Sequence, residues 1–238
     1  MKNYLSTREQ ISKIISAFAM ILVMVAIAYY YLINLTSDLR WVMMCGYLFL
    51  AIPATFVLLH GISAKRPDVS LLSIGFVVLG VLGFVAKLFH GVNELTLYSY
   101  FYAAAYSIST IFVFSFADKI AFGKRLLSKW WFVVVMLVFG VVPTVLLYTM
   151  PDNTASLLII IRNGAYILVN ILAFAVGVLC ILKKKELNFS WAYTIYAFLT
   201  ATAYVFQFFG KVSWYNVFLM LAVVASPYVL MFAVKSKE

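Results

Sequence analysis

Acidic residues are scarce in this chain. Eight Asp and Glu stand against eighteen Lys and Arg in 238 residues, and charged residues of both signs make up only 11%. A water-soluble domain carries about 25%. A chain that is 66% hydrophobic cannot cover its apolar surface in water with so few charges. Cysteine is almost absent. Cys45 and Cys180 lie in different apolar runs and match neither a metal spacing nor a redox pair. Long polar stretches are missing, which leaves no room for a soluble domain. There is no HExxH, no GxS nucleophile elbow, no nucleotide-binding loop and no acid pair suited to magnesium. These absences point away from cofactor, metal and known catalytic chemistry. They point to an all-α polytopic membrane protein, a single transmembrane domain over residues 1–238.

What is present is apolar sequence in long runs. Crossing a bilayer takes roughly 20 apolar residues per helix. Eight runs qualify, at about 12–35, 41–63, 69–92, 95–117, 130–150, 156–182, 190–210 and 214–234. The breaks between them are short and polar, such as AKRPD, DKIAFGKRLLSK and KKKELNF. The first run is longer than the roughly 7–15 residues of a signal-peptide core, and no small-x-small cleavage site follows it. It is expected to remain as the first helix of a bundle of eight transmembrane helices.

Basic residues give the expected direction. With the N-terminus in the cytoplasm, one set of loops and ends holds Lys2, Arg8, Lys13, Lys65, Arg66, Lys119, Lys124, Arg125, Lys129, Lys183, Lys184, Lys185, Lys235 and Lys237. The opposite set holds Arg40, Lys87, Arg162 and Lys211. Cytoplasmic loops are the Lys/Arg-rich ones, so both termini are expected to be cytoplasmic, in the cell membrane. The net charge of +10 is then an orientation signal, and the partner is the lipid bilayer rather than nucleic acid. Trp41, Trp130, Trp131, Trp191 and Trp214 each fall at the start of a run, where an indole meets the headgroups. Pro53 and Pro143 fall mid-run and predict kinks.

Polar residues inside the runs carry the functional reading. Lys87, His90 and Glu94 are spaced by three and four, which puts them on one helical face at the outer end of the third run. The bland alternative is a helix leaving the membrane, with Lys87 snorkelling outward. In the seventh run Tyr193, Tyr196, Thr200, Tyr204, Gln207 and Lys211 step by three or four along one face. In the sixth, Asn163, Tyr166 and Asn170 do the same, with Arg162 beside them. The fourth adds Tyr98, Tyr102 and Tyr106 at steps of four. Such stripes make either helix–helix seams or the walls of a polar cavity.

The expected site is therefore an outer polar pocket with Lys87, His90, Glu94, Arg162, Gln207 and Lys211 at its mouth. Asn163, Tyr166, Asn170, Tyr196, Thr200 and Tyr204 continue it inward. It would bind, sense or conduct a small solute, with an anionic one favoured by the excess of cations. No residue set suggests a metal or a cofactor. Eight spans, short loops and cytoplasmic ends resemble the lysoplasmalogenase family in topology. That family carries Gly-Asp in its third span and Ser-Asp in its seventh; here the corresponding regions read VLGVLGFVAK and LTATAYVFQ. The resemblance implies a second reading, an intramembrane lipid-modifying enzyme with His90 or Glu94 as acid or base. A third is a subunit of a membrane complex, bound to another membrane protein.

Overall fold

The computed structural model describes residues 2–32, 40–92, 94–149 and 155–236. The expected ends at 35 and 150, and Lys237, lie outside these. The described residues fold as α1 (Lys2–Leu32), α2 (Arg40–Ser63), α3 (Pro67–Gly91), α4 (Leu95–Phe122), α5 (Trp130–Met136), a π-helical turn (Leu137–Val141), α6 (Val142–Leu146), α7 (Ala155–Leu182), α8 (Leu187–Phe208) and α9 (Val212–Lys235). Because α5, the π turn and α6 form one continuous rod, the eight expected runs become eight rods.

Six of these rods are long and apolar enough to cross a membrane: α1, α2, α3, α4, α7 and α9. The chain is thus a multi-pass membrane protein by its helices. The other two rods depart from the expectation of eight uniform spans, for separate reasons. The rod Trp130–Leu146 is apolar but short; at 1.5 Å per residue its 17 residues reach only about 25 Å. Helix α8 has 22 residues, about 33 Å, which is ample length, but its stripe of Tyr, Thr and Gln dilutes the apolar character. The break in the fifth rod is local backbone chemistry. Pro143 has no N–H to give to the preceding turn, and the ladder re-registers so that Val142 N–H donates five residues back to Leu137 O.

Sequential helices pack as neighbours: α2 on α3, α3 on α4, α7 on α8 and α8 on α9. The bundle closes where α9 meets α1 and α2, and where α4 meets α7. The α2–α3 seam is held close by glycine. A Cβ on Gly80 would lie 2.7 Å from both Ala51 Cβ and Tyr47 O, so no other residue permits this approach. The C-terminus of α9 lies beside the turn between α2 and α3. Arg66, before α3, donates from Nη1 to Val234 O (3.1 Å) and from Nη2 to Ser236 Oγ (3.1 Å), closing the C-terminus of α9. Ser16 of α1 lies beside Met231 of the same helix end. A cation on those last carbonyls also suits the helix dipole.

Large apolar side chains point outward along the rods, among them Met24, Leu59, Leu168 and Trp130. In water this would be a liability; against hydrocarbon it is the expected surface. Asp118 is a correction to the sequence reading, which ended the fourth span at 117 and left Asp118 in a loop. Helix α4 runs on to Phe122, and Asp118 is fully buried. Its Oδ2 accepts from Leu127 N (2.9 Å), Ser128 N (2.8 Å) and Ser128 Oγ (2.8 Å). Those donors let a carboxylate sit inside at tolerable cost.

Candidate functional site

Three polar stripes meet at the end of the bundle opposite the C-terminus of α9. Helix α4 brings Tyr98, Tyr102 and Tyr106, one turn apart. Helix α7 brings Arg162, Asn163, Tyr166 and Asn170. Helix α8 brings Tyr196, Thr200, Tyr204 and Gln207. The rings interlock across the gap between helices. Tyr166 stacks on Tyr204 (centroids 4.8 Å apart, 22° between planes), and Tyr106 meets Tyr204 edge-on at 5.8 Å. Tyr98, Tyr102 and Tyr106 form a file at 5.6 Å and 4.5 Å.

Hydrogen bonds fix this arrangement. The Tyr47 and Tyr106 hydroxyls pair at 3.0 Å, tying α2 to α4. Tyr102 pairs with Tyr215 of α9. Tyr166 donates to Ala103 O (3.3 Å) and accepts from Ser107 Oγ (3.1 Å). Asn170 Nδ2 donates to Tyr166 O (2.7 Å), and its Oδ1 accepts from Thr200 Oγ1 (2.7 Å). The π turn of the fifth rod places Gly140 against the Ser107–Tyr166 pair. A Cβ there would lie 2.9 Å from Ser107 Oγ.

Among these side chains lies a cavity of about 80 Å³, lined by Tyr98, Ser99, Tyr102, Ala103, Arg162, Tyr166, Tyr204 and Gln207. That volume holds several waters, or one group of carboxylate or phosphate size. Two polar atoms buried at its wall have no hydrogen-bond partner among the described residues, Tyr204 OH and Gln207 Oε1. Arg162 Nε donates to Asn163 Oδ1 at 3.3 Å; no described carboxylate faces the guanidinium.

Lys87 and His90 sit one ring away. Lys87, buried, holds Nζ 5.3 Å from the centroid of Tyr98. His90 meets the same ring edge-on at 5.0 Å, and its backbone carbonyl accepts from Arg40 Nη1 (3.4 Å). Tyr98 thus separates the cavity from a lysine whose charge no described acid neutralises.

Of the expected residues, the structure brings Arg162, Tyr166, Tyr204 and Gln207 to one cavity, with Lys87 and His90 behind Tyr98. Asn163, Asn170 and Thr200 are buried beneath, and Tyr196 lies deeper against Phe76. Glu94 and Lys211 are elsewhere. Both are exposed at the residue preceding a helix, α4 and α9 respectively. The helical phase that linked them to the stripes stops first: α3 ends at Gly91, and Gly210 turns the chain with a φ of 68°. Tyr98, Ser99, Tyr102, Tyr47 and Tyr215 were not in the expected set. The steps of four on α4 signalled the first and third of these; Tyr47 and Tyr215 belong to no stripe.

Among the described residues no group of three or more His, Cys, Asp or Glu could hold a metal. No protein-family model, curated protein or solved structure matches the chain.

Proposed function

We propose that this protein crosses the cell membrane eight times with both termini in the cytoplasm, and that its outer cavity binds a small anionic solute. Charge asymmetry between alternate loops supports the orientation, and the end of α9 lying beside the α2–α3 turn is compatible with it. The cavity supports the binding. Arg162 offers a planar fork of donors suited to a carboxylate or phosphate. Tyr204, Tyr98 and Gln207 offer further hydrogen bonds, and buried Lys87 adds positive potential through Tyr98. No described acid opposes these cations. Glu94, an acid expected at the mouth, points to solvent instead.

The observation that carries the reading is the cavity that Arg162 lines, with the unpartnered Tyr204 hydroxyl, a donor, buried at its wall. In a membrane interior such a group costs several kcal/mol unless something binds it. Calorimetric titration of the purified protein with acetate, phosphate and the neutral isostere acetamide tests this. The anions should bind and acetamide should not. Arg162→Gln should weaken the anions by about 10- to 150-fold, the loss of a charge-assisted hydrogen bond of roughly 1.5–3 kcal/mol. Equal affinity for charged and neutral ligands would end the proposal.

A further inference from the structure

The polar groups do not stop at the cavity. On α8, Gln207, Tyr204, Thr200, Tyr196 and Tyr193 share one face over 14 residues, about 21 Å of helix. Halfway along, Thr200 is bonded to Asn170 of α7. Below that bond lies a second cavity of about 10 Å³, with Thr110, Asn170, Tyr193 and Tyr196 in its lining. It has room for about one water and for nothing larger. The Tyr193 hydroxyl is buried and has no hydrogen-bond partner among the described residues, and the same holds for Asp118 Oδ1. Phe116 of α4 meets Phe189 of α8 edge-on at 5.0 Å, which brings the helix segments bearing the two groups together. Unpartnered polar atoms therefore stand at both ends of a narrow seam between α4, α7 and α8.

We propose that this seam conducts protons between the anion cavity and Asp118. The size of the lower cavity excludes a solute. A carboxyl group within a membrane helix is the residue type that relays protons. Asp118 Oδ2 is held by the backbone and hydroxyl of Leu127 and Ser128, which leaves Oδ1 to take and release the proton. The Tyr193 hydroxyl accepts a proton on its oxygen as it passes its own onward. Each hop exchanges one O–H bond for another, with no change at carbon and no electron acceptor. Asp118 neighbours Tyr193 of α8, Cys180 of α7 and Ser128 of the loop before α5, and Lys183 and Lys185 neighbour that same Cys180. Lys183 is held off by Ala121 O (3.4 Å) and the Phe122 ring (4.8 Å). The inference rests on α8 crossing the membrane, as proposed above, but not on anion binding.

The test uses the full chain in vesicles loaded with a pH-sensitive dye, with a potassium gradient and valinomycin driving protons inward. The wild type should acidify the lumen faster than empty vesicles do. Asp118→Asn should return flux to the empty-vesicle level, because an amide carries no exchangeable acid proton. Its oxygen still accepts from the Leu127 and Ser128 amides, which favours folding. Tyr193→Phe should do the same while keeping its stack on Phe189 (5.7 Å); it carries the test if Asp118→Asn does not fold. Wild-type flux no faster than empty vesicles would overturn the proposal. So would a folded Asp118→Asn or Tyr193→Phe protein as fast as wild type, or water permeation without proton flux. The readout requires no solute, so a cavity that binds no anion shows itself in the calorimetry and leaves this result standing.

Discussion

Gly80→Ala should destabilise the protein, whereas Gly164→Ala should not. The same methyl is added to a membrane helix in each case, and only the surroundings differ. At Gly80 the new Cβ would meet Ala51 Cβ at 2.7 Å, Tyr47 O at 2.7 Å and Ala51 N at 2.8 Å. Two of these atoms are backbone and the third is a Cβ, so none can swing aside. Carbon contacts settle near 3.5–4.0 Å, which requires α2 and α3 to part by about 1 Å. Overpacking of this kind costs about 1–3 kcal/mol. The displacement also carries Tyr47 away from Tyr106. Their hydroxyls are 3.0 Å apart, and another ångström takes the pair beyond hydrogen-bonding range, at a further cost of about 0.5–1.5 kcal/mol. At Gly164 nothing lies within 4 Å of the added carbon. Alanine there gains the helix preference of roughly 0.5–1 kcal/mol. Unfolding by SDS titration in mixed micelles measures both variants. A Gly80→Ala protein as stable as wild type, or two variants equally impaired, would refute the packing argument and the tie from the α2–α3 seam to the tyrosine lattice.

Other outcomes follow from single contacts. Arg66→Ala should lower the melting temperature by the equivalent of about 1.5–3 kcal/mol, since it strips the α9 C-terminus of a charged donor; Lys at this site should rescue only in part, because one ammonium lacks the two-pronged reach to Val234 O and Ser236 Oγ. Tyr166→Phe keeps the ring stack on Tyr204 but loses the bonds to Ala103 and Ser107, and should cost about 0.6–1.7 kcal/mol on SDS titration, the range for buried bonds in membrane helices. A double-mutant cycle on Asn170→Leu and Thr200→Val should yield a coupling in that same range of about 0.6–1.7 kcal/mol; additive effects would mean the bond contributes nothing.

The elements that were legible in the sequence are those governed by local pattern. Apolar runs marked the rods, and steps of three and four marked Tyr166, Tyr204 and Gln207, with Arg162 beside them, as members of helix seams or cavity walls. Contacts set by distant chain were not legible. Asp118 reads as the start of a loop because it follows an apolar run and precedes a lysine. Only the amides of Leu127 and Ser128, nine and ten residues on, make its burial intelligible. Glu94 and Lys211 continue their stripes on paper, but helical phase means nothing beyond the residue at which a helix ends. Pro143 announced a break in the fifth rod without revealing that the π turn would press Gly140 against Ser107. Tyr47 and Tyr215 stand alone in sequence and gain their roles only from the tyrosines of α4.

Thiol labelling tests most directly whether the α8 stripe faces a wet cavity rather than lipid. With Cys45 and Cys180 replaced by Ala, Gln207→Cys and Val205→Cys are compared using a charged, membrane-impermeant thiol reagent applied from either side. Gln207 lines the cavity, while Val205 is exposed on the outer surface of the same helix. The account predicts that the cysteine at 207 reacts, from the side opposite the termini and more slowly in acetate, and that the one at 205 stays unmodified in hydrocarbon. Reaction at 205 with none at 207 would contradict it.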